Sequence, residues 1–169
     1  QSNWMTVQDK EMDSHLLENV EHVMPVTPTG SSDSAALDSV FALVNISGQP
    51  APRATSMLVP DAWAKKSQTL STDHRQPFNC LNSTMEPWDG PAAIAGTDTE
   101  WVIAATDRNG LRPMRFTITK DKILCAGSET GMIELNEKKI VTKGRLGPGE
   151  IIGDRIEKGK VFNNKQSKD

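Results

Sequence analysis

Tyrosine is absent from this sequence of 169 residues, and aromatic residues as a whole make up 5% of it. Any core must therefore rest on aliphatic and small side chains, with 4 Trp and 4 Phe as its largest pieces. Cysteine is nearly missing too: Cys80 and Cys125 stand alone, without paired spacing. That excludes a disulfide framework and favours a reducing compartment. Long apolar runs are lacking. None nears the roughly 20 residues of a membrane-spanning helix, and the opening residues do not read as a signal peptide. Positive charge is not in excess, with 19 Lys and Arg against 22 Asp and Glu and a net charge of -3. Neither nucleic acid nor membrane is expected as a partner, because no basic footprint is present. What is present, 36% hydrophobic and 24% charged residues, is globular in character, and 12 Gly and 10 Pro make it loop-rich. The length suits a single domain with its own core.

Residues 1–29 read as a polar helix followed by a Pro-rich lead-in. Met12, Leu16, Val20 and Val23 recur at helical spacing, while Glu11, His15, Glu18 and His22 share another face. Imidazole and carboxylate so spaced can converge on zinc. No further ligand cluster follows, so we read a solvated helix face and expect no metal. Pro25 and Pro28 then break the helix.

Residues 30–85 form a helical region. In Gly30-Ser31-Ser32-Asp33-Ser34, Ser31 or Ser32 can cap a helix and Asp33 falls in its first turn, where the helix dipole favours a carboxylate. Leu37, Phe41 and Val44, with Val40 beside them, are the expected buried stripe, and Gly48 with Pro50 ends the helix. Asp33 has two readings at this point. It is a capping carboxylate, or a carboxylate held at a loop-to-helix junction to receive a ligand's ammonium group. A short helix from Pro60 and another from Ser71 to Met85 are expected next, the second carrying His74 and Cys80. The matches of Asn45-Ile46-Ser47 and Asn82-Ser83-Thr84 to the glycosylation pattern are read as chance.

Residues 86–169 are β-rich. Glu86 to Pro91 is a turn cluster, and Ala92 to Thr97 a strand of small residues, which suggests a closely packed layer above it. Trp101–Thr106 is an apolar strand, and Met114, Phe116 and Ile118 alternate with polar residues in the next. Between them, Asn109-Gly110 predicts a tight hairpin turn with two positive φ values. Cys125 falls in a strand at Ile123–Ala126, and, like Cys80, has no base or basic cluster beside it. Gly144-Arg145-Leu146-Gly147-Pro148-Gly149 lacks the Gly-Lys-Ser/Thr ending of a phosphate loop and reads as a turn into Glu150–Gly153. A last hairpin joins Ile156 to Val161-Phe162. Helices first and a meander of strands after them give an α+β fold. Taken alone, these residues show no activated nucleophile.

Five motifs in order say more. Ser32 to Asp38, Met85 to Ala92, Asp107 to Arg115, Gly127 to Gly131 and Lys143 to Gly149 together resemble the glutaminase domain of the glutamate synthase large subunit, a class II glutamine amidotransferase, from about Asn3 onward. Asp-x-x-Gly-x-Arg-Pro followed by Ser-Glu is shared across class II amidotransferases. The Glu86–Pro91 and Gly144–Gly149 stretches are similar to glutamate synthase in particular. Two other readings stand beside this one: a non-catalytic assembly or ligand-binding module of the same fold, and a class II amidotransferase of another pathway.

The resemblance implies an N-terminal nucleophile hydrolase fold, with two antiparallel sheets stacked between helical layers. It implies release of ammonia from L-glutamine by an N-terminal cysteine, through a thioester that water hydrolyses. Among the family's site residues, the aspartate that holds the substrate ammonium matches Asp33, with Ser32 and Gly30 beside it. This sequence begins with Gln1 where the family's mature chains begin with cysteine, and the oxyanion Asn-Gly pair and the carboxylate-binding arginine have no match. The expectation is a partial domain with its N-terminal portion missing, inactive alone, since losing the oxyanion donors by itself costs about 10²–10³ in rate. No cofactor is expected in residues 1–169; FMN and iron–sulfur would belong to other domains of the full-length enzyme. The remaining domains are expected partners, self-association through the exposed truncated face is a further expectation, and the location is bacterial cytoplasm or plastid stroma.

Overall fold

In the computed structural model, residues 22, 24–60, 87–157 and 160–163 are described. They divide into two units, Gln1–Pro50 and Ala51–Asp169. The helices expected from Pro60 and Ser71, together with His15, His74 and Cys80, lie outside the described residues.

The first unit contributes α1 (Asp33–Ile46). Its buried residues are Ala36, Val40 and Val44, an i, i+4, i+8 line. The buried line thus runs one position to the side of the expected Leu37–Phe41 stripe, and both of those are half-buried. Gly48, at φ 89, follows the C-cap Ser47 as expected for a helix stop.

The second unit opens with α2 (Ala51–Leu58), where the sequence pattern shows no helix. Thr55 and Ser56 are buried, yet satisfied within the helix: Thr55 Oγ1 donates to the Ala51 carbonyl at 2.8 Å and Ser56 Oγ to that of Pro52 at 2.9 Å. Pro52 sits in the first turn, where a missing N–H costs little. The Ala51 N–H donates to Asp98 Oδ2 at 2.5 Å, so the helix is capped from 47 residues away. Asp98 Oδ1 also accepts from the Trp101 and Glu100 N–H groups.

Seven strands follow: β1 (Ala93–Thr97), β2 (Trp101–Thr106), β3 (Arg115–Thr119), β4 (Leu124–Gly127), β5 (Ile140–Arg145), β6 (Ile151–Arg155) and β7 (Lys160–Phe162). They form two antiparallel sheets, β1-β2-β6-β7 and β4-β3-β5. The sheets meet through Ala104 and Ile152 of the first, with Val161 beside them, and Phe116 and Leu124 of the second. Met114 and Leu146 complete this core at the two places where the chain crosses between sheets. On the other face of the first sheet, Ile103, Ala105 and Ile151 are buried and α2 packs against β2. Strand β2 is buried on both faces, which explains its continuous apolar run. The architecture is α+β, with two stacked antiparallel sheets. Strand β1 departs from expectation: Ala93 and Ala95 are exposed, and their small size reflects an edge strand rather than a close layer above.

The expected hairpin at Asn109-Gly110 does not form. Strands β2 and β3 belong to different sheets, and of the pair only Gly110 has positive φ, 63°. The cause is Asp107. Its buried carboxylate accepts from the N–H groups of Ala92 (3.2 Å) and Arg112 (3.0 Å) at Oδ1, and of Asn109 (3.2 Å) and Leu111 (2.9 Å) at Oδ2. These donors are therefore spent on the loop rather than on a β2–β3 ladder. The Asp107 carbonyl accepts from Gly110 and from Gly149, tying in the second crossover. There Thr106 Oγ1 donates to the Gly147 carbonyl at 2.6 Å, and Gly147 N–H to Glu150 Oε2 at 2.7 Å. Pro148 lies so near Gly110 that a Cβ there would stand 2.9 Å from its Cγ.

Candidate functional site

The first site residue in chain order is Gly30, in a turn closed by the Ser31 N–H on the Pro28 carbonyl at 3.0 Å. Its φ of 79° is a value that glycine reaches without strain, and the space where a side chain would stand is open. The turn delivers the chain to Ser32, whose extended backbone (φ -72°, ψ 159°) makes it the N-cap of α1. Ser32 Oγ accepts from the Ala35 N–H at 3.2 Å and lies 3.2 Å from Ser34 Oγ. The Ala36 N–H reaches the Ser32 carbonyl at 2.9 Å, closing the first helical turn.

Capping is thus done by Ser32, and Asp33 occupies the first turn with its side chain exposed. Gly30, Ser32 and Asp33 are brought together by one turn and one helix start. A carboxylate so placed is favoured by the helix dipole and can accept from an ammonium donor. The cap needs Ser32 and leaves the function of Asp33 to its own chemistry.

Other titratable candidates behave differently. Burial pushes the Asp107 carboxyl up, but the N–H bonds from Arg112, Leu111, Ala92 and Asn109 outweigh it and hold it below the ordinary aspartate range. Both of its oxygens are spent on backbone, so it is an architectural group. Asp107 meets Arg112 through the Arg112 backbone N–H and not as an ion pair. Cys125 is a half-buried free thiol on β4, opposite Thr117. Lys143 flanks Thr117 on the far side, two strand spacings or about 9–10 Å away between backbones, and its ammonium group is turned to Glu137 at 3.4 Å. Of the four residues weighed as a metal face, only His22 is described, and it is exposed. Among the described residues no group of three His, Cys, Asp or Glu is placed to hold a metal ion. No described helix is long and apolar enough to cross a membrane.

The family model for glutamine amidotransferases class-II matches residues 1–169. The chain is 45% identical over 168 residues to the NADPH glutamate synthase large chain of Azospirillum brasilense, covering 99% of this chain and 11% of that one. It is 34% identical to the corresponding large chain of Bacillus subtilis, covering 98% of this chain and 11% of that one. The chloroplastic ferredoxin-dependent glutamate synthase 2 of Arabidopsis thaliana is 37% identical over 98% of this chain and 10% of its own length. The chain therefore spans about a tenth of the length of these relatives.

Proposed function

The chain belongs to the class II glutamine amidotransferases, and from that premise we propose that it serves a glutamate synthase by helping to release ammonia from L-glutamine. The reaction is hydrolysis of the side-chain amide: water adds, the C–N bond breaks, and glutamate and ammonia leave. The role assigned to this chain's own residues is substrate holding. Asp33 accepts the α-ammonium of glutamine, Ser32 fixes the helix start that presents it, and Gly30 keeps the approach open. The observation that carries this reading is the division of labour at α1, where Ser32 caps and Asp33 stands exposed beside it. Neither another pathway's amidotransferase nor a non-catalytic module is favoured by relatives that are glutamate synthases.

We read residues 1–169 alone as unable to turn glutamine over, since no stretch of the sequence matches the family's oxyanion pair. The remaining domains of a full-length synthase are the proposed partners, with FMN and iron–sulfur placed there. Self-association of this chain and a location in cytoplasm or plastid stroma are part of the same proposal.

The test uses a synthase that carries this domain at the length of its relatives. Asp33→Asn should raise KM for glutamine about 10–10²-fold, the loss of one charge-assisted hydrogen bond. The melting temperature should stay near wild type. An unchanged KM would return Asp33 to a purely helix-stabilising role.

A further inference from the structure

The three-stranded sheet has a second face, turned away from the core. In register, Arg115 stands opposite Gly127 on one side and Arg145 on the other, and Thr117 opposite Cys125 and Lys143. Phe116 and Leu124 leave in the other direction, into the core. By alternation Arg115, Lys143 and Arg145 share the outer face. There they floor an open groove of about 810 Å³. Its other wall is the segment after β4. Met132 lies against Gly127, its Sδ 2.7 Å from where a Cβ would stand, and Met132 and Ile133 remain 61% and 54% exposed.

Like charges directly opposite one another destabilise a sheet, and Arg115 and Arg145 are such a pair. Lys143 is partly compensated by Glu137 at 3.4 Å. Glu129 and Glu134 also line the groove, yet neither guanidinium is in an ion pair with a described residue. The groove therefore holds two fork-shaped donors outside any ion pair with a described residue, beside two exposed apolar side chains. We propose that it docks an acidic polypeptide segment, with carboxylates over Arg115 and Arg145 and apolar side chains against Met132 and Ile133. Arginine matches carboxylates in bidentate fashion, so the charges set orientation as well as attraction. A small anion would relieve the repulsion but leave Met132 and Ile133 uncovered, which argues for a polypeptide. The inference is independent of the role of Asp33.

The probe is a synthetic amphipathic peptide of Glu and Leu, added to the full 169-residue chain and followed by amide chemical shifts. Comparators are a Lys–Leu peptide, a Glu–Ser peptide and citrate. The Glu–Leu peptide should perturb Arg115, Gly127, Lys143 and Arg145 and bind about tenfold more tightly than any comparator. Arg145→Glu should weaken that binding at least about tenfold while holding or raising Tm, because it sets opposite charges across the two strands. Should that variant fail to fold, Arg115→Gln serves instead, with weakened binding expected. Equal binding of the Lys–Leu peptide overturns the proposal, as do equal binding of citrate, perturbations elsewhere, or affinity unmoved by the substitution.

Discussion

Asp33 and Asp107 both sit where a loop meets a regular element, and the two carboxylates stand in opposite surroundings. Asp107 is buried, with four backbone N–H groups on its two oxygens. Asp33 is exposed in the first turn of α1, beside a serine that has already taken the capping bond. A carboxylate whose lone pairs are consumed by the backbone fixes geometry and has nothing left for a ligand. One exposed at a helix mouth, with capping done by its neighbour, is open to solvent, and the proposed substrate-holding role of Asp33 rests on that access. Residue type is the same in both; the supply of local donors and the access of water decide the role.

Removing Asp107 should produce the largest effect and most sharply separate the two. In Asp107→Ala four donors lose their acceptor at once. Asn109, Leu111 and Arg112 are exposed enough for water to recover part of the loss. We therefore expect about 3–4 kcal/mol of destabilisation rather than the sum of four bonds, read by denaturant unfolding. Titration adds a second mark. The folded-state pKa of Asp107 is depressed, so its contribution is fully present above the unfolded value of about 4 and is lost as pH falls through the folded value. The acid limb of a Tm–pH profile should flatten in Asp107→Asn. An unchanged acid limb would break the assignment.

Next in size is Gly110→Ala, which tests whether the same node depends on the approach of the two crossovers. Gly110 combines φ 63° with Pro148 atoms at 2.9–3.2 Å from any Cβ. The left-handed backbone and the forced contact together should cost about 2–4 kcal/mol. Gly30→Ala is the matching control at the Asp33 turn: its φ is also positive, but nothing crowds it. It should cost about 1–2 kcal/mol from backbone conformation alone. Equal losses in the two variants would show that crowding by Pro148 contributes nothing.

Strand positions were legible in the sequence because alternation and β-branching are local properties, and Trp101–Thr106 and Met114–Thr119 show both. Their pairing was not legible. Asn109-Gly110 looks like a hairpin turn to any local reading, and only the Ala92 and Gly149 partners of Asp107, distant in sequence, show why the chain changes sheet instead. Helix α2 was hidden for the same reason, since its N-terminal N–H is met by Asp98 and its buried polar residues bond within the helix. At the site, the cap and the position of Asp33 could be read from Gly-Ser-Ser-Asp. Its ligand could not: a carboxylate in a first turn has the same local pattern with or without a substrate, and motif resemblance supplied glutamine.

The smallest effects belong to the helix mouth itself, where Ser32 and Asp33 can be separated by stability alone. Ser32→Ala removes the acceptor of the Ala35 N–H and should cost about 1 kcal/mol, with Ser32→Gly costing only a few tenths. Asp33→Asn keeps a polar group in place and removes the attraction between its charge and the helix dipole. At an exposed position that is about 0.3–1 kcal/mol at low ionic strength, and salt should screen it. The Ser32→Ala loss should persist in high salt, because a cap hydrogen bond to a neutral hydroxyl is not a long-range charge effect. A salt series of Tm for the two variants therefore distinguishes cap from charge. If the Asp33→Asn loss is as large as that of Ser32→Ala and resists salt, Asp33 is part of the cap, and its contrast with Asp107 collapses into two structural carboxylates of different strength.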